Sequence, residues 1–96
     1  MRAIVYHGQR DFRVETIADP KFHADGDAIV RIQRTAICGS DLHIWHGPDL
    51  PLGGFSLGHE FMGIVEETGP AGRSIRPGAR VLVACTTGCG NCSMCN

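Results

Sequence analysis

Residues 28–47 read AIVRIQRTAICGSDLHIWHG, and a change of rhythm inside this stretch decides the fold. Ala28, Val30 and Ile32 fall on one face of an extended chain, with Arg31 and Gln33 on the other. That is the period-two pattern of a half-buried strand. From Ser40 the pattern breaks. Ser40 suits a helix N-cap, Asp41 suits the positive end of a helix dipole, and Gly47 is a natural stop. No other stretch of the chain reads as helical.

Working outward, the flanking segments are short strands separated by strong turn signals. Upstream, Ala3–Tyr6 reads as a strand ended by His7-Gly8, and residues 12–15 alternate apolar and polar before the breakers Asp19-Pro20 and Asp25-Gly26. Downstream, Met62–Thr68 and Arg80–Cys85 are two further strands, separated by Gly69-Pro70 and Pro77-Gly78. Many short strands with one helix predict a mainly β fold, a small and partly open barrel.

Composition narrows the function. The chain has 96 residues, 43% of them apolar, which is ordinary for a globular domain and argues against disorder. Nine basic against ten acidic residues give a net charge of −1, with no basic surface for nucleic acid or an anionic membrane. Arg73, Arg76 and Arg80 are interleaved with Gly, Ser and Pro and read as a solvated loop. The longest apolar run, Val81 to Cys85, is far below the ~18 residues of a membrane span, and no signal peptide is legible. A cytoplasmic setting is the resulting expectation. Thiols stay reduced there, so the five cysteines read better as ligands than as disulfide partners.

Two constellations carry chemistry. Cys89, Cys92 and Cys95 form C-x2-C-x2-C beside Gly88 and Gly90, a spacing that wraps a tetrahedral metal. Free surface thiols are the plain alternative, and an iron–sulfur cluster is the sharper one, since ferredoxins open with the same spacing. Nothing else here resembles a ferredoxin, so zinc is favoured. Cys85, at the end of an apolar strand, reads as a buried structural cysteine. The second constellation is Cys38, His59 and Glu60. Each is weak evidence alone. Together they offer a thiolate, an imidazole and a carboxylate, the donor types of a zinc site that keeps a position open for chemistry.

The segments Ile37-Cys38-Gly39-Ser40-Asp41-Leu42-His43 and Gly58-His59-Glu60, followed by the cysteine triplet, resemble the N-terminal catalytic domain of zinc-dependent medium-chain alcohol dehydrogenases. The opening Met1-Arg2-Ala3 and the segment Arg76-Pro77-Gly78-Ala79-Arg80-Val81 fit the same family, so the likeness covers essentially residues 1–96. It implies a GroES-like β-barrel, normally followed by a Rossmann domain that binds NAD or NADP. It also implies that Cys38 and His59 hold a catalytic zinc, with Glu60 able to enter the coordination sphere and Asp41 orienting the His59 ring from behind. Ser40 would take the alcohol proton and His43 pass it toward solvent. Cys89, Cys92 and Cys95 would hold a structural zinc whose fourth cysteine lies past Asn96.

On this reading the chain is truncated before its cofactor domain. No G-x-G-x-x-G occurs, and Gly53-Gly54 reads as a turn before His59. With at least one ligand of each site missing, the expectation is partial or no zinc and no activity in this chain alone, within a parent that oxidises a small alcohol or polyol and forms a homo-oligomer. Trp45, His46 and Leu52 are expected near the mouth of the substrate cleft. A stand-alone zinc-binding interaction module is the alternative function, and a chaperone-like barrel a third that has no use for Cys38 or His59.

Overall fold

The structure is a computed structural model that describes residues 1–51, 53–72, 74–86, 88 and 92–95. Its elements run β1 (Arg2–Gly8), β2 (Asp11–Thr16), β3 (Ala28–Thr35), α1 (Gly39–His46), β4 (Phe55–Ser56), β5 (Phe61–Thr68) and β6 (Arg80–Val83). They form two three-stranded antiparallel sheets, ordered β2-β1-β4 and β3-β5-β6. The expectation of a mainly β chain with one short helix is met.

The central strands carry the core. Val5 and Tyr6 are adjacent in β1 and point to opposite faces, yet both are buried, as a strand covered on two sides requires. Val65 of β5 is the third buried apolar residue. Tyr6 is fully enclosed: its ring stacks on Phe55 at 5.1 Å, meets the edge of Phe12 at 6.0 Å, and its hydroxyl accepts the Leu50 N–H at 2.9 Å. A buried phenol needs such a partner.

The period-two reading of β3 and β2 is locally overridden. The β3–β5 register slips at Ile29/Val30 and again at Ile32/Arg34. Ile32 faces Gly63, which offers no side chain to pack against, and Ile32 is exposed. Gly63 is obligatory nevertheless, since a Cβ there would collide with the Arg31 carbonyl and sit 2.7 Å from Val30. In β2, Val14 is exposed while Phe12 is half-buried; β2 is an edge strand with cover on one side only.

The exposed surface is large for the mass. It measures 7515 Å², against about 5,400 Å² for a self-contained 10.3 kDa protein. Leu82 and Ile37 are 86% and 82% exposed. An apolar groove along β5 and β6 is lined by Phe61, Met62, Leu82, Val83 and Cys85 and reaches Glu60. Cys85 is exposed on it, which corrects the reading of Cys85 as a buried structural cysteine: β6 ends at Val83, before the chain turns Cys85 outward. Among the described residues, no helix is long and apolar enough to cross a membrane.

Asp27 closes the turn before β3. Its carboxylate accepts the N–H groups of His23 and Ala24 at 2.8 and 2.9 Å, and these bonds, His23 first, lower its pKa below the usual carboxylate value. A depressed folded-state pKa means stability that is complete above the unfolded value of about 3.9 and lost as pH falls through the folded one. Asp27→Asn is accordingly expected to lower the urea midpoint at pH 7, with the gap to the unaltered protein closing as pH drops below about 4.

Urea denaturation also tests the placement of the core. Tyr6→Phe is expected to cost about 1 kcal/mol through the unpaired Leu50 N–H. Tyr6→Ala is expected to cost about 3 kcal/mol or more. Leu82→Ala should stay within about 0.5 kcal/mol of the unaltered protein.

Candidate metal centre

Two loops bring the functional side chains together, and β1 sets the position of one of them directly. β4 pairs with β1 at Val5↔Ser56 and Tyr6↔Phe55, and the Leu57 N–H reaches the Ile4 carbonyl at 2.9 Å. The chain then turns through Gly58 at φ 106°, a conformation that L side chains rarely adopt, and delivers His59. On the other side, the carbonyl of Glu60 accepts the Ala36 N–H and the Thr35 hydroxyl, both at 3.0 Å. That pair of hydrogen bonds ties the end of β3 to the His59 loop two residues before Cys38.

The result is a triangle of donor atoms. Cys38 Sγ lies 2.9 Å from His59 Nε2 and 2.8 Å from Ser40 Oγ, and Ser40 Oγ lies 2.9 Å from His59 Nε2. A carboxylate oxygen of Glu60 completes a group with Cys38 and His59 whose ligand atoms all lie within 4.8 Å of one another. Asp41 supports the group from behind. Its Oδ1 faces His59 Nδ1 at 3.5 Å, and its Oδ2 accepts the Cys38 backbone N–H at 3.0 Å. One carboxylate thus orients both the imidazole and the residue carrying the thiol.

Helix α1 explains why Cys38 sits where it does. The N-cap is Cys38, two residues earlier than Ser40, where the sequence reading places it. The Cys38 side chain and the Asp41 carboxylate form a reciprocal capping box, with sulfur in the role usually taken by a hydroxyl. Sulfur is therefore aimed along the N-terminal amides of α1. The Ser40 hydroxyl, then the Ser40 amide and His59, hold the Cys38 thiol below its ordinary pKa. The Cys38 hydrogen bond in turn raises the pKa of His59. Each shift stabilises the ionised partner, and both groups must give up protons before they ligate a metal.

The thiol, imidazole and carboxylate that converge here from three sequence positions are donor types that zinc takes, so the residues fit the ion that the sequence pattern implies. The expected relay residue His43 is exposed on α1, one turn beyond Ser40; among the described residues its ring makes no hydrogen bond. Trp45 packs edge-on against Phe12 at 4.9 Å, and His46 is exposed. In the triplet, Cys92 and Cys95 hold their sulfurs 3.5 Å apart, well beyond the ~2.05 Å of a disulfide and close enough to face one ion. Cys89 and Leu52 lie outside the described residues. Sequence reasoning missed the part played by Gly58; a glycine directly before a candidate ligand was the available signal.

Comparison with known proteins identifies the family. The family model of the alcohol dehydrogenase GroES-like domain matches residues 24–96. Zinc-type alcohol dehydrogenase B of Aspergillus flavus is 43% identical over 99% of this chain and 22% of its own length. Among solved structures, alcohol dehydrogenase TADH from Thermus sp. ATN1 superposes with a TM-score of 0.90 at 39% identity, over 99% of this chain and 28% of that one. Zinc dependent alcohol dehydrogenase 2 from Streptococcus pneumonia, in its apo form, gives 0.89 at 40% identity over the same shares. The chain belongs to the alcohol dehydrogenase GroES-like domain family, and its relatives are zinc-type alcohol dehydrogenases. It spans about a quarter of the length of the proteins it matches.

The turn at Gly58 yields a direct test. Gly58→Ala is expected to lower stability by about 1–2 kcal/mol, the cost of a side chain held in a left-handed conformation. Gly53→Ala, in open space, should change it by less than about 0.5 kcal/mol. Paired thermal melts of the two variants read the difference.

Proposed function

We propose that this chain is the metal-bearing catalytic portion of a zinc-dependent, NAD(P)-linked dehydrogenase that interconverts a small alcohol or polyol with its carbonyl product. The observation that carries this reading is the triangle of Cys38 Sγ, Ser40 Oγ and His59 Nε2, with every side at 2.8–2.9 Å. Cys38, His59 and Glu60 would hold the catalytic zinc, and Cys89, Cys92 and Cys95 the structural one. When bound, the catalytic ion supplies Lewis acidity that lowers the proton affinity of an alcohol oxygen. A nicotinamide supplies the two-electron acceptor. No residue of this chain is assigned to it.

The chain's own residues then have separable tasks. The Ser40 hydroxyl, hydrogen-bonded inside the donor triangle, would accept the proton released from an alcohol. His43, one helical turn on and exposed, would carry that proton to solvent. Asp41 holds the His59 ring through Nδ1 so that Nε2 faces inward. The apolar groove reaching Glu60 offers a surface for the carbon skeleton of the substrate. A small-molecule substrate, a cytoplasmic location and a homo-oligomeric parent fit the same reading. A stand-alone zinc-binding interaction module leaves a hydroxyl at hydrogen-bond distance from two ligands without a purpose.

The test is kinetic. The protein expressed from its complete reading frame should reduce NAD or NADP with members of a panel of small alcohols and polyols. Ser40→Ala should keep its zinc content and lose roughly 10²–10⁴-fold in kcat. A zinc-loaded Ser40→Ala protein that turns over at the unaltered rate would contradict the proposal.

A further inference from the structure

Helix α1 carries Cys38, Ser40 and Asp41 at its N-terminal end but buries none of its own residues. Eight residues are too few to be stable on propensity alone. Its far end is held by an element that the site chemistry does not use. The β1–β2 turn, Gln9–Arg10, donates to the last two helical residues: the Arg10 N–H to the Trp45 carbonyl at 3.2 Å, and Gln9 Nε2 to the His46 carbonyl at 3.0 Å. These are helix C-terminal carbonyls that the helix itself leaves without donors. Gln9 is fixed in its turn, since its backbone N–H is taken by the Asp49 carboxylate. Just beyond, Phe12 meets the Trp45 ring edge-on at 4.9 Å and packs on buried Tyr6.

Arg10 shows that the turn is specified. It is the one non-glycine among the described residues with a positive φ, 59°, and this left-handed backbone accompanies the Arg10 N–H bond to the helix end. Such a residue costs of order 1 kcal/mol or more unless its surroundings fix it.

We infer that the Gln9–Arg10 turn together with Phe12 is a strap that positions the metal centre from a distance. The strap grips α1 at Trp45 and His46, about 10 Å along the helix axis from Cys38. The same strand β1 sets the His59 loop through its pairing with β4. One hairpin therefore fixes both sides of the Cys38–His59 pair, and ligands so held lose less freedom when an ion binds. Gln9, Arg10 and Phe12 are positioning residues; none belongs to the donor triangle.

The inference rests on the metal-centre reading, and the experiment separates the two. Zinc and cobalt affinities are measured by competition with a chromophoric chelator for the unaltered protein, Cys38→Ser, Gln9→Ala, Phe12→Leu and Arg10→Gly, with Cys89, Cys92 and Cys95 replaced by Ser in all. Amide exchange of α1 is followed in the metal-free forms. Gln9→Ala and Phe12→Leu are expected to weaken binding about tenfold, the low end for residues that support ligands. They should also speed exchange in α1 while β3, β5 and β6 stay protected. Arg10→Gly keeps the N–H and relaxes φ, so its affinity should stay within about twofold. Unchanged affinity and unchanged α1 exchange in both Gln9→Ala and Phe12→Leu would overturn the strap. Binding that survives Cys38→Ser would instead overturn the metal centre; the strap is then decided by α1 exchange alone, unchanged protection refuting it.

Discussion

Strand β1 is the constraint on which the rest depends. It is hydrogen-bonded on both edges, to β2 and to β4, and its Val5 and Tyr6 fill the space on its two faces. Through β4 it fixes where His59 emerges; through the β2 hairpin it meets the C-terminal end of α1. Cys38 and His59, 21 residues apart, are brought to 2.9 Å by backbone pairing more than by any attraction between them. Packing and hydrogen bonding supply the geometry of the donor group.

The site is economical in its use of one helix. The N-terminal turn of α1 provides a thiol held below its ordinary pKa, a hydroxyl within the donor triangle, and a carboxylate that serves the backbone of one ligand and the ring of the other. Sulfur at the N-cap is unusual because a hydroxyl or carboxylate is the better acceptor there. Here the weaker cap is offset by the Asp41 side of the capping box, which leaves the sulfur for another partner.

Much of this was legible in residues 28–47 and 58–60. The single helix, its stop at Gly47 and the β-rich remainder follow from local chemistry that the structure keeps, whereas Cys38 and His59 were linked only through donor type and the family resemblance. Three features were not legible, for physical reasons. The N-cap fell on Cys38 because tertiary placement of the sulfur outweighed the propensity of Ser40. Strand β4 has two residues, too short for any period to appear, and owes its existence to β1. Cys85 reads as interior from an apolar run, yet it is exposed, because β6 ends at Val83 and Cys85 lies past the last strand pairing.

X-ray absorption at the zinc edge, on protein whose Cys89, Cys92 and Cys95 are replaced by Ser, tests the central claim most directly. The account predicts a zinc environment with one sulfur, from Cys38, and at least one imidazole, from His59, with oxygen or nitrogen in the remaining positions. A spectrum with no sulfur scatterer, or with no imidazole signature, would contradict it.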